Sequence, residues 1–294
     1  MTFTKPPRQS LKTTWPNKAA MPTMYDLPSE DPEEPGLPDE FHDFQPELLS
    51  ETFRLQDYAS DNIFTAADLN LYYDPTHANW YKRPDWFAAI GISRFYRGEG
   101  IESKLLKSGD LRLSYVIWQE EVSPFVVVEL ISPGTENEDF GRSVRQPGKP
   151  PTKWSVYEEI LQIPYYVIYD RYTDRLNGFH LTDGRYQPIP IGSENKIWIP
   201  EINAGLGMWQ GRFKRSTRNW LRWYDSSGNW LLTLEEENEQ RAQQAQREAQ
   251  QAQRETQQAQ RETQQVQQEN ERLRAKLKAL GVDINTLTGS DEQE

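Results

Sequence analysis

The segment at residues 125–131 places the strictest limit on how this chain folds. It reads Phe-Val-Val-Val-Glu-Leu-Ile, and Ser-Pro-Gly follows it. A β-branched apolar run that ends at such a turn predicts a buried strand. Glu129 then lies among apolar neighbours, where an ionised carboxylate without a partner costs several kcal/mol. Either Glu129 faces solvent at a sheet edge, or a cation, a proton or a hydrogen-bond network accompanies it.

Three more segments have the composition of strands. Residues 82–91 predict a strand that begins after Pro84, with Asp85 at its mouth. Residues 111–122 and residues 165–170 are also rich in apolar and aromatic side chains. We expect the strand at 111–122 to pair with the central strand, because only a short Ser-Pro break separates the two.

One internal helix is predicted to begin near Thr152, because apolar side chains recur there at helical spacing and Pro164 follows. The polar residues 136–151 before it, with their glycines and prolines, predict a mobile loop. The Asp-Gly pair at 183–184 predicts a β-hairpin, and an aromatic hairpin is expected around residues 226–229. Strands combined with one helix predict an α/β (α+β) core.

Composition limits the classes of protein that remain. The chain has 294 residues and no cysteine, which excludes disulfides, thiolate zinc sites and cysteine nucleophiles. It contains no apolar run of membrane-spanning length and no signal-peptide pattern at its start. We therefore expect a cytoplasmic protein with no membrane partner. The net charge of -12 argues against general nucleic-acid affinity, but residues 52–234 are nearly neutral and can hold a local basic patch.

Four regions follow from these patterns. Residues 1–51 are a Pro/acid-rich extension, expected to be mostly extended, and residues 52–234 form the globular domain. Residues 235–281 predict a coiled coil, and residues 282–294 predict a disordered tail.

The coiled-coil prediction rests on an alternation of three-residue and four-residue spacings between Ala242 and Leu280. The first half of this seam is alanine and threonine, so association would depend on the larger side chains from Val266 onwards, with Asn270 favouring one register. The expected assembly is a homo-oligomer, most simply a dimer. A single solvated helix is the alternative.

Asp85, Glu129 and Lys153 are predicted to converge at one edge of the sheet. Carboxylate oxygens suit Mg²⁺ or Mn²⁺, and a backbone carbonyl beside Glu129 can supply a further ligand. A lysine there can stabilise negative charge that develops on a phosphate. This set indicates metal-assisted hydrolysis of a phosphodiester.

Four passages that carry these residues resemble the Uma-two family of restriction-endonuclease-like proteins, within the PD-(D/E)XK nuclease superfamily. They are Arg-Pro-Asp-Trp-Phe at 83–87, Val-Val-Val-Glu-Leu-Ile-Ser-Pro-Gly-Thr at 126–135, Lys-Trp-Ser-Val-Tyr at 153–157 and Pro-Tyr-Tyr-Val-Ile-Tyr-Asp at 164–170. The resemblance covers residues 52–234. It implies a mixed sheet flanked by helices, Mg²⁺ dependence, DNA as the substrate, and Asp85 and Glu129 as the metal-binding acids.

The lysine departs from the superfamily signature, which places it two residues after the second acid. That position holds Ile131 in this chain. In the Uma-two pattern the lysine role moves to the helix, where Lys153 stands four residues before Tyr157. Lys149 is the alternative.

The other candidate motifs do not indicate a different catalytic site. His42, His77 and His180 lack zinc-ligand spacing, and the chain has no P-loop or nucleophile elbow. The aromatic and basic residues at 209–230 can either grip nucleic acid or form core. Two hypotheses remain: a metal-dependent endonuclease, and a catalytically inactive nuclease-like interaction or scaffold protein assembled through its coiled coil.

Overall fold

The computed structural model describes residues 21–22, 40–96, 111–131 and 136–281. The chain divides into two compact units, residues 1–233 and residues 234–294. Within the described ranges, no helix has the length and apolar character needed to cross a membrane. The predicted turn at 132–134, the predicted tail at 282–294 and most of the predicted N-terminal extension lie outside the described residues.

The first unit contains strands β1 to β12, which are short except at its end. In chain order they are β1 (Ile63–Ala66), β2 (Leu71–Tyr72), β3 (Tyr81–Lys82), β4 (Trp86–Ile90), β5 (Tyr115–Val116), β6 (Val126–Leu130), β7 (Tyr165–Asp170), β8 (Arg175–Thr182), β9 (Arg185–Pro188), β10 (Lys196–Ile199), β11 (Ala204–Phe213) and β12 (Ser216–Tyr224).

The helices are fewer and mostly short. They are α1 (Glu40–Thr52), α2 (Ile117–Glu120), α3 (Glu136–Asp139), α4 (Lys153–Ser155) and α5 (Leu234–Ala279). A π-helical turn, Val156–Ile160, continues directly from α4. Single 3-10 turns lie at Ser60–Asn62 and Pro200–Ile202.

A mixed six-stranded sheet in the order β1-β4-β6-β7-β8-β9 is the centre of the first unit. Strands β6 and β7 run parallel, whereas the other neighbouring pairs are antiparallel. Two three-stranded sheets accompany it, β10-β11-β12 and β3-β2-β5. The predicted α+β character with a mixed sheet is confirmed.

The two faces of the central sheet are both covered, which explains why β6 and β7 read as continuous apolar runs. Successive side chains of β6 alternate between the faces. Val126 and Val128 join a cluster with α1 and the β10-β11-β12 sheet. Val127 joins the opposite cluster, which includes Tyr157 of the π-helical turn. Glu129 therefore points toward the face that the internal helix covers.

Helix α1 corrects the expectation that residues 40–51 are extended. Its apolar side chains recur at helical spacing, and Phe41, Leu48 and Leu49 are buried against the central sheet. The buried side chain of Gln45 both accepts a hydrogen bond from the backbone N–H of Leu221 and donates one to its carbonyl. The helix runs across the boundary that the sequence places between residues 51 and 52.

The prediction of one strand at 111–122 is wrong. Only β5 is extended, and α2 follows it until Glu121 adopts a left-handed conformation. Strand β5 pairs in parallel with β2 rather than with β6. Both edges of β6 are already occupied by β4 and β7, so the segment packs in a separate small sheet.

The hairpin predicted at Asp183 and Gly184 is confirmed, and both residues have the positive φ of a type I′ turn. The chain also reverses at the expected aromatic hairpin, where Tyr224 and Trp230 form an antiparallel bridge across residues 225–229. Asp225 accepts hydrogen bonds from the backbone N–H groups of Ser227 and Asn229 in the expected turn. A longer hairpin precedes it, in which β11 reverses into β12 at Lys214 and Arg215.

The second unit is described as one long helix, α5. Glutamine-to-glutamate hydrogen bonds at i, i+4 spacing, such as Gln244 with Glu248 and Gln251 with Glu255, stabilise its surface. Its pairing as a coiled coil stays a prediction.

Candidate active site

The two predicted acids meet where β4 begins and β6 ends. The antiparallel register pairs Trp86 with Val128, which places Asp85 opposite Glu129. The backbone N–H of Leu130 donates a 2.6 Å hydrogen bond to Oδ2 of Asp85. The strand pairing therefore holds the two carboxylates side by side on one edge of the sheet.

Glu129 is completely buried, at 0% exposure, and each of its oxygens has a partner. The ammonium of Lys153 lies 3.2 Å from Oε2, and the phenol of Tyr157 donates a 2.8 Å hydrogen bond to Oε1. Residues four apart lie on the same side of a helical segment. The internal helix thus aims both side chains at one carboxylate, and its predicted start is confirmed by the cap that Thr152 forms.

Lys153 has a second carboxylate partner that the sequence did not reveal. Asp139, 1% exposed, places Oδ1 3.2 Å from the same ammonium. Its backbone carbonyl accepts a hydrogen bond from Tyr166. A carboxylate in a polar loop carries no burial signal in one sequence. The neighbouring apolar side chain of Phe140 is a local feature that could indicate an anchored position.

Glu138 is a further carboxylate next to Lys153. Its Oε1 accepts a 3.1 Å hydrogen bond from the Lys82 ammonium and a 3.4 Å bond from the backbone N–H of Lys153. Three acids, Glu129 of β6 and the consecutive residues Glu138 and Asp139 of α3, therefore surround Lys153.

The environment shifts the protonation equilibria of these groups. Burial raises the pKa of Glu129 to about 7; the Lys153 ammonium opposes this rise and the neighbouring Asp85 adds to it. Burial also raises the pKa of Asp85, against the effect of Lys153. Burial disfavours the charged form of Lys153, but Glu129 and Asp139 outweigh it and raise its pKa. Asp85 and Glu129 therefore share one buried site with the permanently charged ammonium of Lys153.

The donor set fits a hard divalent ion. Mg²⁺ is commonly held by one or two carboxylates and completes its shell with water and substrate phosphate. Asp85 and Glu129 supply two such carboxylates. Across the described part of the chain, no three His, Asp or Glu side chains cluster as a preformed metal site.

The remaining predicted candidates lie elsewhere or have structural partners. Lys149 is exposed in the loop, so the structure brings Lys153 rather than Lys149 to Glu129. His42 Nε2 lies 3.3 Å from the Leu130 carbonyl, a proximity that sequence analysis missed. Arg222 is buried, and its guanidinium donates to the carbonyl of Leu231. That arginine therefore belongs to the core and not to a nucleic-acid surface.

The other two histidines pack against neighbours in the chain. His77 pairs with Asp74 at 2.7 Å and stacks on Trp80, whereas His180 stacks on Tyr165.

Comparison with known proteins identifies the family. The sequence model of the Uma2 (Uma-two) family, described as "Putative restriction endonuclease", matches residues 15–209. The match begins before the range expected from the sequence and ends within β11. No curated protein matches the chain. Because the matched range spans more than half of the 294 residues and includes the carboxylates and Lys153, the chain belongs to the Uma2 family.

Proposed function

We propose that this protein is a metal-dependent endonuclease that hydrolyses phosphodiester bonds in DNA. Asp85 and Glu129 would hold Mg²⁺ or Mn²⁺, and Lys153 would act with them as the third catalytic residue. Family membership supports a nuclease at the coarse level. The observation that carries the finer assignment is the 3.2 Å contact between the ammonium of Lys153 and a fully buried Glu129.

The roles of the residues follow from their chemistry. A divalent ion at such a site polarises the phosphate and makes water a stronger nucleophile. The ammonium group of Lys153 can donate hydrogen bonds to phosphate oxygens as negative charge develops on them. Tyr157 donates a hydrogen bond to one oxygen of Glu129, and the other oxygen accepts one from Lys153.

A plasmid assay tests this proposal. Wild-type protein is expected to nick supercoiled DNA with Mg²⁺ or Mn²⁺ and to stop when EDTA removes the ion. Glu129→Gln keeps the shape of the side chain but removes its charge, and it is expected to abolish nicking. Glu159→Gln, an equal charge change at an exposed position, is the control. Nicking by Glu129→Gln at the wild-type rate would rule out the proposed site.

Helix α5 favours a second candidate. It spans 46 residues with its apolar seam positions Val266 and Leu273 exposed, which suits assembly with another copy. The protein would then be an inactive nuclease-like scaffold. Folded, self-associated protein that cleaves no DNA with either ion would favour this candidate over the endonuclease.

A further inference from the structure

A strongly basic and exposed loop adjoins the candidate active site. The basic loop, residues 141–150, contains Arg142, Arg145 and Lys149, and every residue in it is exposed. No acidic residue occurs between Asp139 and Glu158. The loop is therefore locally positive in a chain whose net charge is -12. It is therefore suited to an anionic partner.

The two arginines are not neutralised by carboxylates in the part of the chain that the structure describes. Arg142 lies over the ring of Phe140, with Cζ 4.9 Å from the ring centroid. Arg145 lies over Trp80 at 6.0 Å. Contact with a ring holds an arginine stem in place while leaving N–H donors available, and guanidinium groups bind phosphate well.

The base of the basic loop is fixed to the site itself. Asp139 precedes it and Lys153 follows it, and these two residues form the buried ion pair. Gly141 has φ +67° and lies against Trp154 so closely that a Cβ would come within 2.7 Å of the indole. Trp154 in turn packs edge-on against Tyr166. The loop therefore projects from a rigid base, directly beside Glu129 and Lys153.

The middle of the loop combines charge with an apolar side chain. Val144 is 87% exposed and lies between the two arginines in sequence. In a groove of duplex DNA, base edges lie between two rows of phosphates. An exposed valine flanked by cations is complementary to this arrangement, with the valine facing the base edges and the cations facing the phosphates. Pro147 and Pro150 limit the freedom that the loop loses on binding.

We propose that the basic loop binds duplex DNA next to the phosphate that is cleaved. Arg142 and Arg145 contact backbone phosphates, and Val144 enters the groove between them. This inference rests on the proposed function, because it takes DNA as the substrate of the same site. It adds the residues that select a duplex and orient it toward Glu129 and Lys153.

Fluorescence anisotropy with a labelled DNA duplex tests the proposal, with EDTA present to prevent hydrolysis. Arg142→Gln combined with Arg145→Gln is expected to weaken binding by about tenfold or more at 0.1 M salt. The slope of log affinity against log salt is expected to fall by about 1.8, since each lost phosphate contact removes about 0.9. The matched control is Arg247→Gln with Arg254→Gln on α5, which changes the charge equally and is expected to bind as wild type.

Val144→Ser separates groove insertion from charge. It is expected to weaken duplex binding while leaving the salt slope unchanged, because it removes no phosphate contact. Wild-type affinity in this variant would overturn the groove contact. Equal binding by the double arginine variant and wild type, absence of duplex binding by wild type, or tighter binding of the single strand or of RNA would each overturn the loop assignment.

Cleavage assays on the same variants distinguish the two proposals. If wild type binds duplex through the loop but cleaves nothing with Mg²⁺ or Mn²⁺, the loop assignment stands and the nuclease fails. If wild type cleaves and the double arginine variant cleaves equally at low substrate concentration, the nuclease stands and the loop assignment fails.

Discussion

Asp139 Oδ1 lies 3.2 Å from the ammonium of Lys153, and both residues are held at the two ends of the basic loop. The lysine thus lies between this carboxylate and Glu129, at 3.2 Å from each. A side chain with two fixed partners has few other orientations. Asp139 is therefore expected to position Lys153 rather than to contact substrate.

Asp139→Asn should lower the rate of single-turnover cleavage, by up to about 10²-fold, because small displacements of a catalytic group are costly. Metal affinity measured by calorimetry should change little, since Asp85 and Glu129 remain. Glu136→Gln, at an exposed position in the same short helix, is the control. A wild-type rate for Asp139→Asn would show that Glu129 alone orients the lysine.

Asp85→Asn and Glu129→Gln should each abolish binding of Mg²⁺ or Mn²⁺ in calorimetry. Each substitution removes one of the two carboxylate ligands while keeping the shape of the side chain. Lys153 keeps Asp139 as a partner in both variants, so the fold should survive, and thermal unfolding is the check. Undiminished metal binding in either variant would contradict the shared site.

The stability of the metal-free protein should depend on pH through Glu129. Its pKa rises from 4.5 to about 7 on folding, mainly because of burial, so the folded state holds a proton that the unfolded state releases between these values. The free energy of unfolding should therefore fall as pH increases through this window. Metal affinity should instead rise as the pH increases through this window, because the ion binds the deprotonated carboxylate of Glu129. Thermal melts from pH 5 to pH 8 should show this fall in wild type, and a flatter profile in Glu129→Gln.

Tyr157→Phe should destabilise the protein by about 1 kcal/mol in urea unfolding, because it removes a buried hydrogen bond to Glu129. The same bond lowers the pKa of Glu129, so its loss should move the pH midpoint of metal binding upward. Tyr172→Phe, at an exposed tyrosine, is the comparison. An unchanged midpoint would mean that Tyr157 does not act on the carboxylate.

Removing α5 after Thr233 should leave a core that unfolds cooperatively, because the first unit has its own sheets and core. Light scattering should show that the full-length chain is a dimer and the truncated chain is not. Leu273→Glu, in the heptad seam, should dissociate the dimer, whereas Gln268→Glu outside the seam should not. A monomeric full-length protein would identify α5 as a single solvated helix.

The sequence predicted the strands that are buried on both faces, because such strands leave an uninterrupted apolar signal. The sequence-based prediction failed where apolar side chains are exposed and a charged side chain is buried. Leu111 and Leu113 are exposed, whereas Arg112 between them is buried and paired with Glu120 at 2.6 Å. Hydropathy alone would bury Leu111 and Leu113 and expose Arg112, and only tertiary contacts determine which side chains are buried.

The residues of the candidate site were likewise predictable from the sequence only in part. Asp85, Glu129 and Lys153 follow strand and helix signals, so their approach was foreseeable from the chain. Asp139 and His42 come from regions read as loop and extended chain, where a single sequence gives no periodicity to place a side chain. Their contacts depend on how separate elements pack.

The π-helical turn Val156–Ile160 gives this site an unusual sensitivity to chain length. Each α-helical residue turns the chain by about 100° and advances it 1.5 Å, and a π turn holds one residue more than an α turn. Deleting one residue there would restore a regular helix and rotate Lys153 away from Glu129, while Leu161 beyond the turn kept its place in the core. Insertions and deletions in this turn, and not only substitutions, therefore decide whether the lysine reaches its carboxylate.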